Sequence, residues 1–170
     1  MFEEGDPLGA DSNFLAFLDR KPVGFVTLLL ENSDAMANSV YQNSIADAAQ
    51  LYVDTILAAD PSVNITIATF NEGFSIVRGP DSNPEPLSYA IDIFRSRQPV
   101  GALTTNLHGA YVDALTTSQA KQTEYVQRFR GGHLTIGHII VVAGRNDNAG
   151  LVQLEDALTL LNTTKDDVTM

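Results

Sequence analysis

The sequence predicts an α/β fold, a three-layer sandwich with a mostly parallel sheet and one antiparallel edge strand. Three observations predict it. Two apolar segments, VGFVTLLL at 23–30 and the IIVV within HLTIGHIIVVA at 133–143, have the length and continuity of strands buried in a parallel sheet. Between and after them, apolar residues recur at helical spacing. NITIATF at 64–70, then NEG, then FSIVRG at 74–79 reads as an antiparallel hairpin. The order strand, helix, strand, strand, helix, helix, strand, helix is the alternation that builds such a sheet.

The elements follow in turn. Residues 1–22 are polar, with Gly5, Pro7, Gly9 and Pro22, and read as an N-terminal arm ahead of one domain over 23–170. A short apolar patch in the arm, Phe14, Leu15, Phe17 and Leu18, is a candidate to dock on the body. From about Asn38 to Ala59, Val40, Tyr41, Ile45, Ala48, Ala49, Tyr52, Val53, Ile56 and Leu57 mark a helix that Asp60-Pro61 stops. GPDSNPEP at 79–86 is a loop, and LSYAIDIFRSR at 87–97 is a short helix ended before Pro99. A long helix begins at Leu107 and ends at Gly131-Gly132. After the second buried strand and the turn GRNDNAG at 144–150, LVQLEDALTLLN at 151–162 carries an apolar helical stripe. TTKDDVTM then has the form of a turn and the first residues of another strand, so the fold looks truncated at its C-terminal end. That leaves an apolar strand at the edge of the sheet, where pairing with another segment or chain is expected.

Composition narrows the function classes. The chain has 170 residues, 44% of them apolar, which suffices for one domain with a sizeable core. Its 21 acids against 10 bases leave a formal charge of −11, which argues against nucleic acid and anionic lipid as partners. With no cysteine there is no disulfide framework, thiolate metal site or thiol nucleophile. No apolar run approaches the roughly 20 residues a membrane helix needs. Gly-x-Ser-x-Gly, Walker-type and dinucleotide-binding fingerprints are absent too.

In open α/β sheets, ligands bind beyond the carboxyl ends of the strands, where strand order reverses. Loops 31–36, 101–106 and 143–149 leave such ends. Three segments together carry a resemblance: LLLENSDAM at 28–36, GALTTNLHGAYVDAL at 101–115, and IIVVAGRNDNAG at 139–150. The chain resembles a von Willebrand factor type A (vWA) domain, a Rossmann-like topology, over about residues 22–170. The resemblance implies a metal-ion-dependent adhesion site: Asp-x-Ser-x-Ser after the first strand, a Thr before the third helix, and an Asp after the fourth strand. Mg2+ or Mn2+ held there would leave one position open for a partner's carboxylate. Mg2+ prefers an octahedral oxygen shell at about 2.0–2.1 Å.

Measured against that pattern, the site is degenerate. Glu31 stands in place of the first Asp and is one methylene longer. Ser33 matches the first Ser, Ala35 replaces the second, and Thr105 matches the loop Thr with Thr104 beside it. Ala143 or Gly144 falls where the last Asp belongs. Asp34 and Asp147 are the acids placed to compensate. Thr104, Asn106, His108 and Arg145 are expected at the mouth, Arg145 as a cation that could offset the acids. The expectation is a weak or lost ion, with Glu31 and Ser33 hydrogen-bonding loop amides and capping the next helix. His133 and His138 are five apart and face opposite sides of a strand, so they are no ligand pair; His138 is expected beside or within the core.

The function this implies is a non-enzymatic binding module for a protein partner, in a larger and extracytoplasmic protein: periplasmic, envelope-associated or secreted. The alternatives are a docking subunit of a multiprotein complex, and a small cation-dependent hydrolase using Glu31 and Asp147.

Overall fold

The computed structural model describes residues 22–36, 39–97, 104–129, 134–144 and 147–166. The arm expected over 1–22 lies outside the described residues except for Pro22. The central strand, β1 (Val23–Glu31), is buried along almost its whole length, because sheet neighbours flank it and helices cover both faces. That is why it reads as an unbroken apolar run. β2 (Asn64–Phe70) pairs with β1 in parallel from Phe25↔Asn64 to Glu31↔Phe70. β3 (Phe74–Asp81) returns antiparallel to β2. β4 (Thr135–Val142) lies parallel to β1 on its other side, from Val23↔Thr135 to Leu30↔Val142. The order is therefore β3-β2-β1-β4. The chain leaves β1 toward β2 and later comes back to β4, so the switch point lies at the carboxyl ends of β1 and β4.

Helix α1 (Ser39–Ala59) buries Ile45, Ala46, Ala49, Val53 and Leu57 against one face of the sheet. It shares that layer with α2 (Pro84–Ser96), whose Leu87, Ala90, Ile91 and Phe94 recur at i, i+3, i+4 and i+7 and are all buried. Buried Gln42 joins the two helices. Its Nε2 donates to the carbonyls of Phe94 at 2.6 Å and Arg97 at 2.7 Å, partnering acceptors left open at the end of α2. On the opposite face, α3 (Leu107–Arg128) packs Ala110 and Ala114 against Leu29, Ala68 and Phe70. A last helix, α4 (Leu154–Asp166), lies beside α3.

Four expectations are corrected. The segment expected to stay in the loop until residue 86 turns helical at Pro84, because Asn83 Oδ1 accepts the Glu85 N–H at 3.1 Å and Pro84 fits the first helical position. The hairpin strand runs two residues past Gly79 to Asp81. Register shifts on its pairing with β2 accommodate Pro80, which an edge strand tolerates. TTKDD does not leave the helix as a turn: α4 continues through Thr163 to Asp166, and it begins at Leu154 rather than 151. β4 is not buried like β1. It lies at the edge among the described residues, as expected, but Ile136 is 42% exposed, so His138 on the same face is exposed rather than a core ring.

Candidate functional site

Four segments meet at the switch point: the end of β1 with its following 3-10 turn (Asp34–Met36), the β2–β3 turn, the loop before α3, and the loop after β4. Glu31, the last residue of β1, is fully buried there, as are Ser33 and Thr105. A carboxylate taken from water needs compensating donors, and three converge on it. Ser33 Oγ donates a short hydrogen bond to Oε1. Thr105 Oγ1 donates to the same oxygen at 3.1 Å, and the Gly144 N–H donates to Oε2 at 2.6 Å. One side chain therefore ties three loops together. Ser33 is bonded to Glu31 and not placed as a helix cap. Its carbonyl accepts the Met36 N–H at 2.9 Å, which closes the 3-10 turn.

Thr105 is held from a second side. Asn148 Oδ1 accepts the Thr105 N–H at 2.5 Å, and the Thr105 carbonyl accepts the N–H groups of Asn148 and Ala149 at 3.1 and 3.2 Å. Its neighbours are clamped to the β2–β3 turn. Thr104 Oγ1 donates to Glu72 Oε1 at 2.7 Å, Asn106 Nδ2 donates to the Glu72 carbonyl at 3.3 Å, and the Asn106 N–H donates to the Asn71 carbonyl at 2.8 Å. Asn106 Oδ1 accepts the Gly109 N–H at 3.1 Å and caps α3.

Asp147 belongs to a separate cluster. Its Oδ2 accepts the His108 N–H at 2.8 Å in the first turn of α3, and its Oδ1 accepts the N–H groups of Ala149 and Gly150 at 3.2 and 3.1 Å. Gly150 takes the positive φ of 63° that closes this turn without steric cost. Burial pushes the Asp147 carboxyl up, but those backbone donors and the His108 ring outweigh it and hold its pKa below the usual carboxylate range. The His108 ring lies 3.5 Å from Asp147 by Nδ1, and the same nitrogen is 3.0 Å from the Val152 carbonyl.

Of the residues expected at the site, the structure brings Glu31, Ser33 and Thr105 into one cluster. It puts Asp147 and His108 in a second, and Thr104 and Asn106 on the Glu72 turn. Asp34 is half-buried in the 3-10 turn. Arg145 lies outside the described residues. Sequence reasoning missed Asn71, Glu72, Asn148 and the Gly144 N–H. The only signal for the asparagines is their place in turns directly after strands, where Asn is common for many reasons.

No protein-family model matches the sequence, and no curated protein matches it. Among solved structures, the SpRpn10 VWA domain superposes with a TM-score of 0.59 at 10% identity, covering 85% of this chain and 70% of that one. Proximal thread matrix protein 1 from the mussel byssus gives 0.62 at 14% identity, with 84% of this chain and 36% of that chain covered. The three N-terminal domains of the type V pili tip protein Mfa5 from Porphyromonas gingivalis give 0.51 at 15%, covering 86% of this chain and 26% of that one.

The fold is vWA-like. The vWA adhesion site needs an oxygen cage, and the donors here can be compared with it. The third position of the first loop is Ala35, which has no side-chain oxygen. Gly144 brings an N–H donor to Glu31 where the vWA pattern has a carboxylate. A Cβ added at Gly144 would meet Met36 Cε at 2.5 Å, a contact that the flexible end of the methionine can relieve. Among the described residues, no three His, Asp or Glu side chains converge on one point. What remains is one carboxylate and two hydroxyls that both donate to it, fewer side-chain oxygens than the adhesion-site pattern supplies.

Proposed function

We propose that this vWA-like chain is a protein-interaction module whose loops at the carboxyl ends of the sheet face a protein partner and are held in place without a bound cation. One observation carries this: the buried Glu31 carboxylate accepts from Ser33, Thr105 and Gly144, and so joins the loops that an ion joins in a vWA adhesion site. Around it, partly exposed Thr104, Asn106 and His108 form the rim that a partner would meet. Adhesion to a protein and docking within a larger assembly both use this surface. An extracytoplasmic setting is part of the proposal and is tested by fractionating the native source. Among the described residues, no helix is long and apolar enough to cross a membrane.

Thermal melting tests the cation part. Millimolar Mg2+, Mn2+ or EDTA is expected to leave Tm unchanged, since only a ligand that binds the folded state shifts it. A rise of several degrees with Mn2+ that Thr105→Ala abolishes would overturn it. Co-purification from the native source tests the loop surface. A partner is expected to stay with the wild-type chain in EDTA and to be released by Thr104→Arg. Retention by that variant would remove the loops as the binding surface.

A further inference from the structure

At the end of the sheet opposite Glu31, on the α1 face, lies an apolar groove of about 500 Å3. Its walls include Gly24 and Val26 of β1, Tyr52 and Ile56 of α1, and Ile136 and Ile140 of β4. The groove lies where the α1 face of β4 is least covered: toward its carboxyl end Ile140 and Val142 pack against the core that α1 and α2 form with β1 and β2, whereas its amino end lies beyond that core among the described residues. Ile136 is left 42% exposed as a result.

We propose that residues 14–18 of this same chain occupy the groove. Four observations point there. Pro22, where the described chain begins, lines the groove itself. Leu18 is therefore only four residues from the groove, a reach of up to about 13–14 Å. Among the first 22 residues Met1, Phe2 and Leu8 are scattered, and the one apolar cluster is Phe14, Leu15, Phe17 and Leu18. These recur at i, i+1, i+3 and i+4, a spacing that puts them on one side of a helical turn. Next to the anchor, Arg20 and Lys21 follow Asp19 between the cluster and Pro22, and Asp60 stands on the rim of the groove. A second copy is a weaker occupant: each copy carries −11, so two copies repel. A segment tethered by three residues, in contrast, is present at an effective concentration on the order of millimolar.

The absence of cysteine allows a direct test. In the full chain, Phe17→Cys with Ile136→Cys is expected to form an intramolecular disulfide under mild oxidation. Phe17→Cys with Tyr89→Cys, on the outer side of α2, is the control expected to form none. Bridges between two chains would show a second copy in the groove and overturn the proposal, as would a bridge in the control pair alone. An independent measurement is the rate at which Ile136→Cys alone reacts with a maleimide. Adding Leu15→Asp and Leu18→Asp is expected to raise it roughly tenfold, because the covering segment no longer closes over the thiol. An unchanged rate would overturn the proposal.

Discussion

Glu31 is the residue on which the site turns. With an acceptor for three donors at a fully buried position, Glu31→Ala should leave Ser33, Thr105 and Gly144 without their partner and cost about 3 kcal/mol or more in urea unfolding. Glu31→Gln should cost less, about 1–2 kcal/mol, because the amide can turn its oxygen to the Gly144 N–H and its NH2 to hydroxyls that also accept. Equal losses for the two variants would mean that the charge, and not the bonding pattern, holds the loops. Asp147 gives a pH-dependent prediction. Its folded pKa is depressed, so its contribution is complete above the ordinary Asp value and fades as pH falls through the lower folded value. Asp147→Ala should therefore destabilise the chain by about 2 kcal/mol at neutral pH. The gap to wild type should close below about pH 4. A gap that persists unchanged into acid would show that packing, and not the carboxylate, is responsible. At this scale the sequence marked Glu31, Ser33 and Thr105 as a group. It could not show Gly144, whose contribution is a backbone N–H, or Asn148, which reaches Thr105 only because the loop after β4 folds back over α3.

At the scale of elements, periodicity and punctuation account for most of what forms. The i, i+3, i+4, i+7 stripe of α2 makes Ile91→Ala a core truncation, expected to cost about 2–5 kcal/mol by urea unfolding. Asn83→Ala should remove the cap that starts this helix a turn earlier than the apolar pattern indicates, at about 1 kcal/mol. Loss of helical signal confined to residues near 84 in a hydrogen-exchange experiment would distinguish fraying from global destabilisation. β4 shows the limit of reading elements one at a time. Its apolar run resembles that of β1, yet among the described residues β1 has a strand on both sides and β4 on one, and Ile136 and His138 are exposed. The helical stripe of α4 behaves likewise: Ala157 is buried, whereas Leu154 and Leu158 are about half exposed at 52% and 48%.

For the whole molecule, the α/β class, the parallel core, the antiparallel hairpin and the element order were legible in the sequence, because each rests on a local period or turn signal. The departure of Glu31 and Ala35 from the adhesion-site motif is a matter of sequence alone. Two things were decided only by tertiary structure. One is which groups meet Glu31: its partners come from positions 33, 105 and 144, brought together only where the sheet changes direction. The other is which apolar surface stays open, since exposure of β4 depends on strand order and on where α1 and α2 lie. Apolar pattern is a property of neighbours along the chain, whereas a hydrogen-bonded cluster and a sheet edge are properties of segments that meet only after folding.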